Sequence, residues 1–108
     1  MPFLWYHSAM AVSFIIHYRT KPALTEGFAE ALPSVARELR AVEGCEEFRV
    51  FRSEVEPDRF TLVERWASKA LHDAHMERVK ASGRWQQLLD QLAEPPTAGY
   101  FSELGAAD

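Results

Sequence analysis

The chain has 108 residues, of which 47% are apolar and 26% charged, and a net charge of −4, the profile of one globular domain with its own core. The acidic balance, with no Lys/Arg run, excludes a phosphate-binding face and hence a nucleic-acid partner, and no apolar run nears the ~20 residues of a membrane span. One cysteine, Cys45, excludes an intrachain disulfide framework, so the cytoplasm is the default location.

Residues 1–10, MPFLWYHSAM, read as an N-terminal extension that lacks the cationic and long apolar regions of a signal peptide. The domain proper spans 11–104, with a short tail at 105–108. Residues 11–19 alternate with period two and predict a strand: Val12, Phe14, Ile16 and Tyr18 on one face, Ser13, Ile15, His17 and Arg19 on the other. The pattern leaves open which face meets the core. Lys21-Pro22 ends the strand.

Over 25–42, Leu24, Phe28, Leu32, Val35, Leu39 and Val42 form one helical stripe. Thr25 is the expected N-cap, Pro33 an expected kink, and Gly44 the left-handed residue that closes the helix. Residues 45–53 predict a second strand with Phe48 and Val50 on one face. After the turn at Pro57-Asp58, residues 59–67 predict a third, with Phe60, Leu62, Glu64 and Trp66 on one face. Ser68 is placed to cap a second helix over 69–79, with Leu71, His75 and Arg78 along one side. A short helix over 83–92 carries Trp85, Leu88, Leu89 and Leu92. Pro95-Pro96 breaks it, and 97–104 predict a last strand.

The resulting order, β-α-β-β-α-β, is the α+β, ferredoxin-like arrangement: a four-stranded antiparallel sheet with helices on one face. The open face then needs a cover, and a homodimer is the simplest one.

Several residues could carry chemistry. Trp66 ends an apolar strand face and suits either a core position or a wall that stacks on an aromatic substrate. His75 is expected to point inward, where burial keeps an imidazole neutral and able to take a proton. His72 and His75 form H-x-x-H, which by itself is too small a ligand set for zinc; no metal is expected, and His72 reads as a solvated or interface residue. Glu64 shares a face with Phe60, Leu62 and Trp66, so it needs a partner, with Arg49 or Arg52 across the hairpin as candidates. His17 is a substrate contact if its face lines the pocket. Cys45 reads as a small core residue.

The runs EGCEEFRVFRS, EPDRF, TLVERWASKALHDAHM and ASGRWQQLLDQL resemble the antibiotic biosynthesis monooxygenase family, which includes quinol monooxygenases. The most specific part is the E-x-W at Glu64 and Trp66, with His75 nine residues on. The resemblance implies a dimeric α+β barrel with a pocket between sheet and helices in each subunit. It also implies oxidation of an aromatic phenol, quinol or polyketide-type substrate by O2 without a cofactor. His75 and Trp66 are then the catalytic pair, and His17, Trp85, Phe28 and Glu64 the substrate contacts. Where relatives often carry a Pro-His-Phe-like segment, this chain reads Ser82-Gly83-Arg84-Trp85, and Trp85 takes the place of the aromatic. The competing expectation is a non-catalytic module that holds a hydrophobic small molecule or haem.

Overall fold

The computed structural model describes residues 11–105; the expected extension at 1–10 and most of the expected tail lie outside them. Strand β1 (Val12–Arg19) leads through a single 3-10 turn into helix α1 (Thr25–Leu39). A hairpin of β2 (Cys45–Arg52) and β3 (Arg59–Trp66) follows, then α2 (Lys69–Ala81), the short α3 (Arg84–Leu89) and β4 (Thr97–Phe101). The sheet order is β2-β3-β1-β4 and every pairing is antiparallel. The ferredoxin-like fold expected from the element order is therefore the observed one. The α1 crossover leaves a gap between β1 and β2, and β3 returns from the hairpin to fill it.

The face of β1 that carries Phe14, Ile16 and Tyr18 meets the helices, since Ile16 and Tyr18 are buried and His17 is exposed. Phe28, Leu32 and Ala36 of α1 pack there with Tyr18, Phe48, Phe60 and Leu62 in one core. Phe28 is its centre, edge-on to Tyr18 at 5.9 Å and tilted against Phe60 at 5.0 Å between ring centroids. Burying an aromatic of that size contributes about 2–3 kcal/mol.

Local details correct several sequence expectations. Thr25 is not the helix cap: its Oγ1 lies 2.7 Å from Thr20 Oγ1 and donates to Lys21 O at 3.2 Å, so it ties the strand end to the helix start instead. The inward side of α2 carries His72 and His75, not Arg78, which is exposed. Ser68 does cap α2, its Oγ accepting from Leu71 N at 3.2 Å. Cys45 is only half-buried, at the margin of the core.

Gly44 joins α1 to β2 and has φ +90°. An added Cβ there would sit 2.7 Å from Leu71 Cβ, so both the backbone and the space require glycine. Gly44→Ala is expected to destabilise the fold by about 2–4 kcal/mol, more than a left-handed residue alone would cost. Urea unfolding followed by circular dichroism measures it. A loss under about 1 kcal/mol would mean that α2 shifts freely away from this corner.

Candidate active site

A cavity of about 240 Å³ lies between the helices and the sheet. Its walls are mostly apolar: Phe28 and Leu32 from α1, Tyr18, Phe48 and Leu62 from the sheet, Met76 and Val79 from α2, and Trp85 and Leu88 from α3. Exposed Arg84 and Gln87 stand at its rim, where Arg84 pairs with Glu38 of α1 at 3.5 Å. Besides Tyr18, two buried residues with polar side chains line the cavity, Glu64 and His75.

Glu64 faces inward because β3 alternates strictly: Phe60, Leu62, Glu64 and Trp66 are all buried. The carboxylate is 6% exposed, and among the described residues no Lys or Arg pairs with it. Arg49 and Arg52, the candidate partners, lie elsewhere, Arg49 4.0 Å from Glu47 and Arg52 2.6 Å from Glu26. Trp66 Nε1 donates to Glu64 Oε1 at 2.9 Å instead. Burial raises the Glu64 pKa to about 7, and the indole hydrogen bond partly opposes that rise.

Trp66 is fully buried and does not line the cavity. It stands behind the two polar groups, bonded to Glu64 and stacked on the His75 ring at 5.1 Å and 27°. It therefore fixes the carboxylate and the imidazole rather than forming a wall. His75 is buried, and desolvation, then Arg78 and Arg84, hold its pKa below the usual histidine value. Both effects favour the neutral ring.

His72, expected at the surface, is 2% exposed. Its ring packs on Phe14 at 4.1 Å and edge-on to Trp66 at 5.3 Å. Nδ1 lies 2.8 Å from the Tyr100 hydroxyl, and Nε2 lies 3.8 Å from Glu64 Oε1 with no hydrogen-bond partner among the described residues. Desolvation first, and His75 second, lower its pKa to about 4. The signal for this position was in the sequence: His72, His75, Met76 and Val79 follow helical i, i+3, i+4, i+7 spacing. Treating the histidines as interior residues would have found the face.

Of the expected site residues, the fold brings His75, Glu64, Phe28 and Trp85 to one cavity and sets Trp66 directly behind it. It does not bring His17 there. That ring lies on the opposite face of the sheet, with Nδ1 2.8 Å from Thr61 Oγ1. Among the described residues, no group of three or more His, Cys, Asp or Glu side chains is arranged to hold a metal ion, and no helix is long and apolar enough to cross a membrane.

The sequence model of the antibiotic biosynthesis monooxygenase family matches residues 11–94. The chain belongs to that family. No curated protein sequence matches this family member. Solved structures do. A conserved protein from Methanosarcina mazei superposes with a TM-score of 0.77 at 19% identity, over 92% of this chain and 98% of that one. A Mycobacterium tuberculosis protein gives 0.77 at 20% identity, over 91% and 99%. A Pseudomonas aeruginosa protein gives 0.76 at 17% identity, over 92% and 99%. At these identities the likeness concerns the fold.

The Glu64 pKa has a consequence for stability. It is raised in the fold from 4.5 to about 7, so ionising Glu64 costs more in the native state than in the unfolded chain. Wild type then loses stability as the pH climbs from the unfolded value through about 7. Glu64→Gln keeps an acceptor for the Trp66 indole without the charge. It is expected to match wild type near pH 4.5 and to be more stable by about 2–3 kcal/mol near pH 9. Denaturant midpoints at both pH values check this; an equal offset at the two would assign the effect to packing.

Proposed function

We propose that this family member is a monooxygenase that oxidises a phenolic or quinol aromatic with O2 inside the cavity, and that Glu64 is its base. The observation that carries this reading is a buried carboxyl with no Lys or Arg partner among the described residues and a pKa of about 7, lining a mostly apolar cavity. A base of that strength is half ionised at neutral pH and suits removal of a substrate hydroxyl proton. His75, neutral on the same wall, positions the substrate oxygen, and Trp66 holds both groups in place. The aromatic walls of Phe28 and Trp85 favour a flat substrate, and the volume suits one or two fused rings rather than a tetrapyrrole such as haem.

The chemistry follows from the phenolate. Deprotonation yields an electron-rich anion that passes one electron to O2. The radical pair combines to form a C–O bond at a hydrogen-bearing ring carbon, ortho to the oxygen in a hydroquinone and ortho or para to it in a simple phenol or naphthol. The hydroperoxide then loses the hydrogen of that carbon and breaks its O–O bond, which gives the quinone and one water. The oxidant is O2 and the reductant is the substrate itself. The apolar cavity keeps bulk water from the radical pair. Flat positioning against the walls supplies much of the remaining acceleration.

Oxygen uptake with hydroquinones and 1-naphthols tests the reading. The rate is expected to rise with pH along a single limb centred near 7, where Glu64 loses its proton. Glu64→Gln should lower it at least about 100-fold. Uptake by the wild type no faster than in buffer across such substrates would sink the proposal.

The same reading includes a homodimer. The sheet face away from the helices carries His17, Val63 and Ile15, with Phe51 45% and Phe101 52% exposed. Pairing two copies over this face would cover those side chains and give the barrel its second sheet. Phe51→Lys is expected to raise the dimer dissociation constant at least about tenfold, read by sedimentation. A wild type that sediments as a monomer at micromolar concentration would refute the pairing.

A further inference from the structure

Glu64 sits at the inner end of a line of polar groups that leads away from the cavity. Next to its carboxyl is His72 Nε2 at 3.8 Å, the buried nitrogen without a hydrogen-bond partner. On the far side of that ring, Nδ1 meets the Tyr100 hydroxyl at 2.8 Å. Tyr100, on edge strand β4, donates in turn to Asp73 Oδ1, and both residues are exposed to solvent. Lys69 lies over the Tyr100 ring at 5.0 Å and 3.4 Å from Asp73 Oδ2, so the outer end carries charge on both sides.

Hydrogen-bond chemistry fixes the direction of each proton. The Asp73 carboxyl is held ionised, chiefly by the Tyr100 hydrogen bond, and an ionised carboxylate only accepts. The Tyr100 proton therefore points to Asp73, and its oxygen must accept from His72 Nδ1–H. The neutral ring then has its lone pair on Nε2, facing Glu64. A buried nitrogen lone pair opposite a carboxyl that holds its proton up to about pH 7 is a receiver in waiting.

We propose that Glu64 exchanges its proton with solvent through His72, Tyr100 and Asp73, and not through the cavity. A small rotation of the Glu64 carboxyl closes the gap to Nε2. Glu64 passes its proton to Nε2 while Nδ1 releases its own to the Tyr100 oxygen. Tyr100 hands its original proton to Asp73, which gives it to water. Glu64 ends ionised with its proton in solvent, while His72, Tyr100 and Asp73 each gain one proton and lose one, and reset follows by rotation of the Tyr100 hydroxyl and return of the ring tautomer. The alternative path is poor, because apolar walls such as Phe48, Leu62 and Met76 offer few hydrogen-bond partners to a water chain, and a bound aromatic would fill the space. Around Glu64, the ionisable groups that face it are His72 and His75 from α2, Tyr18 from β1 and Cys45 from β2. Among the described residues, His72 alone of these continues to the surface through side-chain groups that can both take and give a proton; Cys45 Sγ donates to the Glu47 backbone carbonyl at 3.6 Å, which ends the path there.

The proposal serves the base role assigned above to Glu64, but its test reads proton exchange and not oxygen consumption, so either can fail alone. Ring-nitrogen NMR of histidine-labelled wild type at pH 6 to 8 reads the tautomer without any mutation. The Nδ1–H form of His72 is expected; the Nε2–H form has no lone pair to receive a proton and overturns the route. Infrared detection of the Glu64 carboxyl band after a pH jump then measures exchange directly, with Glu64→Gln used to assign the band. Tyr100→Phe keeps the ring that packs on Phe14 and His72 but removes the hydroxyl. It should slow the relaxation about tenfold or more while its midpoint moves less than about half a unit. Relaxation at the wild-type rate in a folded Tyr100→Phe protein means that the proton leaves by another path and overturns the proposal.

Discussion

A carboxyl buried without a cation must stay close to its neutral form, and the site in this protein is organised around that constraint. Glu64 is placed among Phe60, Leu62 and Trp66 by the period of its strand, not by a charge that calls it inward. An unpaired carboxylate in such surroundings costs several kcal/mol to ionise. The protein offsets part of this with one indole N–H and leaves the rest as a raised pKa. The groups beside it follow the same rule. His72 and His75 are both held neutral by burial, so no cation sits near enough to pull Glu64 back to the ordinary carboxylate range.

Trp66 connects this electrostatic arrangement to the packing. It is wholly buried, ends β3, and touches Glu64, His72 and His75 at once. Its place depends on how closely α2 approaches the end of the sheet. That approach is set at Gly44, where the absence of a side chain admits Leu71, and at Ser68, which starts the helix one residue after the strand has let go of the ladder. Backbone geometry at the strand-to-helix corner and the protonation of a carboxyl in the cavity are thus one problem.

The cavity itself arises from uneven covering of one sheet face. Helix α1 fills the part over Phe48 and Phe60, and α2 fills the part over Phe14 and Trp66. The short α3 only leans over the space between them, contributing Trp85 and Leu88 as a roof with a polar rim. The result is a cavity with a polar floor, aromatic sides and a polar rim at Arg84. Under the proposed function, that shape would seat a flat hydroxylated ring with one hydroxyl against Glu64.

Alternation and helical spacing by themselves determined the element order, the ferredoxin-like topology and the inward face of β3, because those patterns are local and each strand or helix carries its own. They also put Glu64 on a buried face and capped α2 at Ser68. They could not choose between the two faces of β1, since Ile15 and His17 alternate as well as Ile16 and Tyr18 do; only the seat of α1 on the sheet decided that, and it removed His17 from the cavity. Nor could they supply the partner of Glu64. Arg49 and Arg52 looked suitable on the hairpin, yet Arg49 lies on the outer face and Arg52, on the inner face but opposite Phe60 at the far end of the strand, pairs with Glu26, so Trp66, two residues along the same strand, serves instead. His72 was misplaced for a related reason: a histidine counts as polar in a sequence pattern, while its burial depends on Phe14 and Tyr100, 58 and 28 positions away. What the chain alone decided was which residues alternate inward, and what tertiary structure decided was which of those meet, because contact across a sheet and between layers has no period that a single strand can record.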